Sequence, residues 1–555
     1  MYSTESESGD GDDSETDLPD DGFTGTGTGI WTTILGEDVG PVPFDFTPNP
    51  GPHHAPNPDA PPLEYVKLFL DDDLIDHLVD ETNIYAAQWI EQHQEFLHQH
   101  PRSRVRQWIR HGRTTKEEMY AFLAVSINMG LNKKPLLESY FDSTHPSQYI
   151  PWFSDHFSRD RFSLLMKFMH MNNNATLPPP DHPDHKLYKI KPLVTKLCKK
   201  FQRFYVPHRN ISIDESMIGY KGKTPHLRQF MPNKQHARFG IKLWCLCDAG
   251  SSYTSHFEVY KGAVDPAERH EEGMTYSLVL RMMESTNLLH CGHHLGIDNY
   301  FTSPKLLDDL YSAHTSATGT VRKNRKGLPR SVTGAKLANK TVIERRRGNL
   351  LCVGYKDNKR QPILLSTHAA GGFATSVNSK GKERHLPKVV IAYNSSMGGV
   401  DMADARLYTY LCERRTMKWT NKVLFALIGR AVLNAYVIYS ENTAQTKKLS
   451  RFAFNVSVVE AMVGNFRPPL KVRQRRRSRA EIALARQAPI APPAQDNLVQ
   501  PGPSGCKLAK LPQGKKRDCV HKHLKRKRTM YECPKCDKGL SALCFTPYHQ
   551  ERGLF

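Results

Sequence analysis

Residues 211–215 read Ile-Ser-Ile-Asp-Glu and alternate apolar and polar side chains with the period of two of a half-buried strand. A second run, Ile241-Lys-Leu-Trp-Cys-Leu-Cys247, meets a turn at Asp248-Ala-Gly-Ser251 and is answered by residues 253–260. That is the pattern of an antiparallel hairpin. Further strand-like runs fall at 295–297, 317–321, 350–355, 363–366 and 389–393, with helical stretches between them. The middle of the chain therefore reads as mixed α/β with an antiparallel start.

Outward from this middle the period changes. Over 64–207 the apolar residues fall at helical spacing: Leu74, Ile75 and Leu78, then Met119, Phe122, Leu123 and Ile127 behind a Thr115/Glu118 capping pair, then Phe162, Leu165, Phe168 and Met169 over 159–171. Helix returns from 403 to about 442, with Leu424, Leu427, Ile428, Ala431, Leu433 and Val437 as its apolar set. Residues 1–63, rich in Asp, Ser, Thr, Gly and Pro, read as a disordered acidic tail and linker. Residues 467–530 hold 18 Lys or Arg against three acids and read as a basic linker.

The 555 residues carry 77 Lys or Arg and 56 Asp or Glu, a net charge of +21. The first 66 residues contain 14 acids and no Lys or Arg, so the remaining 42 acids face all 77 cations, a balance of +35. A basic body with an acidic tail is the electrostatic footprint of a polyanion binder, above all of nucleic acid. No uninterrupted apolar run is long enough to span a membrane, and the N-terminus lacks a basic stretch followed by an apolar one, so neither a membrane partner nor secretion is expected. Eleven cysteines are too few for a disulfide scaffold of this length, and five crowd the last 50 residues, which points to metal.

Three aspartates stand out. Asp214 closes the first strand, Asp298 follows His-Leu-Gly-Ile297, and Asp401 follows Gly398-Gly-Val400, with Asp404 one helical turn on. By spacing alone these read as ordinary strand-end and turn residues. Their surroundings decide between the readings. The segments SIDESMIGYKGK (212–223), GIDNYFTS (296–303), TGTVRKNRKGLP (318–329) and YNSSMGGVDMAD (393–404), followed by RRTMKWTNKVLFALIGRAVLNAYVIYSEN (414–442), together resemble the piggyBac transposase family, in order from about residue 64 to the end.

The resemblance implies a multidomain protein. Its α/β, ribonuclease-H-like catalytic core spans 208–321 with 388–410, and 322–387 match the insertion domain. Residues 64–207 with 411–465 match a helical dimerisation and DNA-binding domain; 466–512 form the basic linker and 513–555 the cysteine-rich zinc-binding domain. The family's metal-binding carboxylates map to Asp214, Asp298 and Asp401, with Asp404 as accessory fourth, and the implied cofactor is Mg²⁺ or Mn²⁺. Two such ions, held by carboxylates, suit phosphoryl transfer without a covalent intermediate. The RKNRKG run (Arg322, Lys323, Arg325, Lys326) and the ERRRGN run suit phosphate contacts. In the family an aromatic at the position of Trp419, here among Arg414, Arg415, Lys418 and Lys422, helps manage the DNA end; Trp419 equally reads as a core-covering residue at a helix start.

The C-terminal segment offers Cys519, His521 or His523, Cys533, Cys536, Cys544 and His549 as Zn²⁺ ligands, enough for one site and part of a second, with Cys506 as an outlier. The function implied is cut-and-paste transposition: binding of end repeats, 3′-hydroxyl attack to form hairpins, and joining into TTAA target DNA by a nuclear homodimer acting on duplex DNA. A domesticated DNA-binding descendant without chemistry and a RING-like zinc interaction module are the alternatives. The intact carboxylates count against the first, and the basic, helix-flanked core against the second.

Overall fold

The computed structural model describes residues 29–224, 226–232, 234, 237–262, 272–377, 381–412, 416–467, 506, 508–512, 515–520, 528–540 and 542–552. The chain divides into two units, Met1–Pro469 and Leu470–Phe555.

In the first unit, ten strands form one sheet: β1 (Thr32–Thr33), β2 (Asn210–Gly219), β3 (Arg228–Phe230), β4 (Phe239–Asp248), β5 (Thr254–Val259), β6 (His294–Ile297), β7 (Ser316–Val321), β8 (Val342–Arg347), β9 (Leu350–Tyr355) and β10 (Ile363–Ser366). Their order is β1-β8-β9-β10-β7-β6-β2-β4-β3, with β5 also paired to β4. Only β2, β6 and β7 run parallel to their neighbours, β2 to β6 and β6 to β7. The expected hairpin is β4 and β5. Strands β8 to β10, drawn from 342–366, continue this sheet from the edge of β7.

Residues 389–393 differ from the strand reading: they lie in helix Lys388–Ser396. A five-residue apolar run carries no period to separate strand from helix, and Pro387, with its fixed φ, sits at the N-cap.

The N-terminal segment also differs from its compositional reading. Residues 29–63 lie on the body, held by a few anchors. The Trp31 indole donates to the Gly327 carbonyl at 3.0 Å. Thr32 and Thr33 pair with Arg346 and Arg345, and Asp38 pairs with Arg346. Phe44 packs on Tyr311 and His314, and Phe46 on His293. Average composition is blind to such sparse anchors. They also engage the ERRRGN run, because Arg347 is taken up by Asp308 and Trp31.

Helices between Pro62 and Phe204 share one apolar core with helices Trp419–Asn442 and Arg451–Val463. Thr115 caps helix Lys116–Leu131 as the sequence implies, but Glu118 turns away to clamp Arg161 at 2.6 and 2.7 Å. Helix Trp419–Asn442 is long and apolar enough to cross a membrane by length and composition, yet its apolar window is 83% buried within the protein. Its buried Asn434 exchanges two hydrogen bonds with the Thr254 backbone, fixing the helix to β5.

The second unit is small. Ala509–Lys510, Tyr531–Cys533 and Lys538–Gly539 form an antiparallel sheet, followed by helix Ala542–Gln550. Its core is Cys506, Cys533, Leu540, Cys544, Phe545 and Tyr548.

Candidate active site

Parallel pairing brings the first two carboxylates together. Ile213 of β2 lies beside Ile297 of β6, so the next residue on each strand, Asp214 and Asp298, falls at the same level on neighbouring chains about 4.8 Å apart. Oxygens of Asp214, Glu215 and Asp298 lie within 4.8 Å of one another.

The third arrives by a turn that only glycine permits. Gly398 adopts φ +122°, and a Cβ on Gly399 would stand 2.6 Å from Ser212 Oγ and 2.7 Å from the Asp248 carbonyl. This close approach seats the start of helix Gly399–Tyr410 on β2 and β4, with Asp401 in its first turn. Lys234, from the β3–β4 loop, closes the group. Its ammonium lies 3.1 Å from Asp401 Oδ1 and 4.0 Å from Asp214 Oδ2.

Burial drives the Asp214 carboxyl well above the usual carboxylate range; Lys234 opposes this, while Glu215, Asp298 and Asp401 add to it. Lys234 is buried too, but the surrounding carboxylates hold its ammonium above the usual lysine range. A cluster that already recruits a cation has the donor set a hard divalent ion requires, all oxygen and all anionic. The residues therefore fit a hard divalent ion such as Mg²⁺ or Mn²⁺ at Asp214, Glu215 and Asp298, with Asp401 tied to the group through Lys234.

Asp404 is placed otherwise than in the sequence reading. It is buried, accepts from Ser216 Oγ at 2.7 Å and pairs with the buried Arg430 at 3.1 Å. Arg430 also donates to Thr254 Oγ1 and Ser216 Oγ. One turn along a helix from Asp401, Asp404 faces the core rather than the carboxylates, and it ties helix Gly399–Tyr410 to β2, β5 and helix Trp419–Asn442.

The RKNRKG run leaves β7 beside Asp298. Arg325 donates to the Tyr300 carbonyl at 2.6 Å, Arg322 donates to Asn299 Oδ1 and lies over the Tyr300 ring, and Lys323 and Lys326 are exposed. Tyr300 stacks on Trp244, and Lys242 lies over Trp244 at 3.7 Å. Trp419 opens its helix half-buried against the core. Lys418 is spent partly on the Lys167 carbonyl at the end of another helix, and burial, with Lys167 and Lys189 nearby, lowers it to about 8. Lys422 is half-buried in the first turn of the same helix. Arg414 and Arg415 lie outside the described residues.

In the second unit Cys506, Cys533, Cys536 and His549 converge, with ligand atoms within 4.8 Å of one another. The Cys506 and Cys536 sulfurs are 3.7 Å apart and Cys536 Sγ is 3.4 Å from His549 Nε2. Zn–S bonds of 2.3 Å at tetrahedral angles span about 3.8 Å between sulfurs, so the set fits Zn²⁺. His549 Nδ1 donates to the Phe545 carbonyl at 2.7 Å, which leaves Nε2 to face a metal. Cys506, an outlier by sequence, belongs to this group; Cys519 and Cys544 do not. His521 and His523 lie outside the described residues.

Lys234, Glu215 and Lys242 escaped the sequence reading. The two lysines had a signal: no Asp or Glu occurs between Ser216 and Cys247, and a long acid-free stretch beside a carboxylate strand marks cations that face it.

Clustered carboxylates on the central strands of a mixed α/β core, flanked by cations, define a metal-dependent nucleic-acid enzyme class of site. Residues 61–436 match the family described as "Transposase IS4", and the chain belongs to this family, in its piggyBac-type branch. It is 28% identical over 504 residues to the human "PiggyBac transposable element-derived protein 3", covering 88% of this chain and 76% of that protein. Against the human "Chimeric ERCC6-PGBD3 protein" identity is again 28%, over 88% of this chain and 43% of the relative's length. The fold is similar to that of a piggyBac transposase solved by cryo-EM in a synaptic complex with hairpin DNA, with TM-score 0.64 and 22% identity over 90% of this chain and all of that one.

Proposed function

We propose that this chain is a cut-and-paste DNA transposase that nicks transposon ends, lets the freed 3′-hydroxyl attack the opposite strand to form a hairpin, and joins the ends into TTAA target DNA. The observation that carries this reading is the clustering of Asp214 with Glu215 and Asp298, and its joining to Asp401 through Lys234, in a chain of the transposase family. The central order, three antiparallel strands extended by two parallel ones, supports a ribonuclease-H-like core.

Divalent ions held there would lower the pKa of the attacking oxygen and stabilise the leaving one. The chain's own part is positioning. Asp214 and Asp298 are fixed by strand register, Asp401 by the glycine turn, and Asp404 holds that helix through Arg430. Lys323 and Lys326 are free to meet the phosphates flanking the cleaved bond, and Lys242, over Trp244, adds a fixed positive charge to the same wall. The zinc unit and the basic 466–512 linker are assigned to end recognition and phosphate contact, the helical core to a homodimer interface, and the protein to the nucleus.

A domesticated DNA-binding role is the second reading, because the human relatives are named as element-derived proteins. Incubation with Mg²⁺ and plasmid DNA bearing the element's two ends separates them: the first reading requires hairpin-ended fragments, the second only retarded, uncut DNA.

A further inference from the structure

The β3–β4 arm carries two phenylalanines that the core does not use. Phe230 is 57% exposed and Phe239 44% exposed. They face each other across the strand pair with ring centroids 4.7 Å apart. Exposed aromatic pairs are uncommon on a water-facing strand edge and mark surfaces that meet something apolar and flat.

Three observations say what that is. The cations Lys221, Lys223, Arg228 and Arg238 around the pair are all exposed, and no acid occurs between Ser216 and Cys247, so the arm attracts a polyanion. The loop joining the two strands is the one that delivers Lys234 to Asp214 and Asp401, so whatever lies along the arm leads into the carboxylate site. The arm is also fixed at its base: Tyr220 OH donates to the Met417 carbonyl at 3.1 Å, just before Lys418 and Trp419, and Met417 is itself 62% exposed.

We propose that Phe230 and Phe239 form a stacking platform for unpaired bases of the DNA strand entering the active site, with Lys221, Lys223, Arg228 and Arg238 holding its phosphates. This inference rests on the DNA-cleaving reading above. Planar side chains flanked by cations are the equipment of sequence-tolerant single-strand binding, since every base offers a π-face. The same arm meeting a fully paired duplex has only its cations to use.

The test compares full-length protein on a short duplex with blunt ends and on the same duplex with a single-stranded overhang of a few nucleotides, at fixed salt. Phe230→Ala/Phe239→Ala is expected to lose roughly 5- to 150-fold in affinity for the overhang DNA and little for the blunt DNA. Phe230→Leu/Phe239→Leu keeps the apolar surface without the planar face and is expected to lose as much. Phe230→Trp is expected to bind normally and to have its fluorescence quenched by the overhang DNA alone.

Equal losses on both DNAs, no loss on either, or retention by the leucine variant would overturn the proposal. A shift of the alanine variant to a smaller species in sedimentation, or loss of an acidic protein partner with DNA binding intact, would overturn it too and reassign the pair to a protein interface. If the parent binds neither DNA, the DNA-cleaving reading falls with it; if the parent binds and the variants match it, only the platform falls.

Discussion

The ammonium of Lys234 stands 3.1 Å from a carboxylate oxygen of Asp401 and reaches to within 4.0 Å of Asp214, so a lysine from the β3–β4 loop joins two carboxylates that come from a strand and a helix nearly 190 residues apart in sequence. Replacing it with methionine leaves the buried Asp214 uncompensated. Lys234→Met is expected to lower stability by about 1–3 kcal/mol in the presence of a chelator, most of it from Asp214 because Asp401 is largely exposed. Mn²⁺ should restore the loss, and Mn²⁺ affinity should rise roughly tenfold or more, since a like charge has left the site. Thermal melts with EDTA and with Mn²⁺, and paramagnetic titration of Mn²⁺, read both effects.

Asp404 and Asp214 should part company when each is neutralised. Asp404→Asn breaks a buried pair with Arg430 and is expected to cost about 3–5 kcal/mol, with Mn²⁺ affinity within about twofold of the parent. Asp214→Asn should abolish Mn²⁺ binding without lowering stability in a chelator, because it removes a charge that burial disfavours. Denaturant unfolding beside metal titration on both variants checks the contrast.

The raised Asp214 carboxyl gives the fold a pH dependence of definite sign. Between the ordinary carboxylate range and its higher folded value, the folded chain holds a proton that the unfolded chain has lost, so stability without metal falls as pH rises through that window. Saturating Mn²⁺, which binds the ionised form, should reverse the slope. Asp214→Asn should flatten both curves, as melts across pH would reveal.

One zinc ion should be held by Cys506, Cys533, Cys536 and His549. Cys506→Ser is expected to lower bound zinc by one ion per chain, and Cys506→Ser/Cys536→Ser by the same single ion, because both thiolates serve one site. Elemental analysis of the purified variants decides this; loss of two ions in the double variant would split the pair between sites.

Much of this was legible in the sequence. Alternation at 211–215 and 241–247 gave the central strands, and the contexts of Asp214, Asp298 and Asp401 gave the carboxylates, because each needs local features: a strand end or a glycine turn. What escaped depends on tertiary approach. Lys234 lies in a loop without period, and only the fold of that loop carries its ammonium back over the strands. Asp404 shares a helix face with Asp401 by spacing, yet a one-turn offset is enough to aim it at Arg430, whose place inside an apolar helix signalled a buried acid partner. Cys506 stands far from the other ligands in sequence, and the pairing of Ala509–Lys510 with Tyr531–Cys533 brings it in.

Asp214, Asp298 and Asp401 are proposed above as a metal-dependent DNA-cleaving site. Single-turnover cleavage of DNA bearing the element's end, in Mg²⁺, by the parent and by Asp298→Asn tests it most directly, with binding measured on the same DNA. Cleavage is expected to fall by at least about a hundredfold with binding within about twofold. Cleavage by Asp298→Asn at close to the parent rate, or a parent that binds the end and never cuts it, would contradict it.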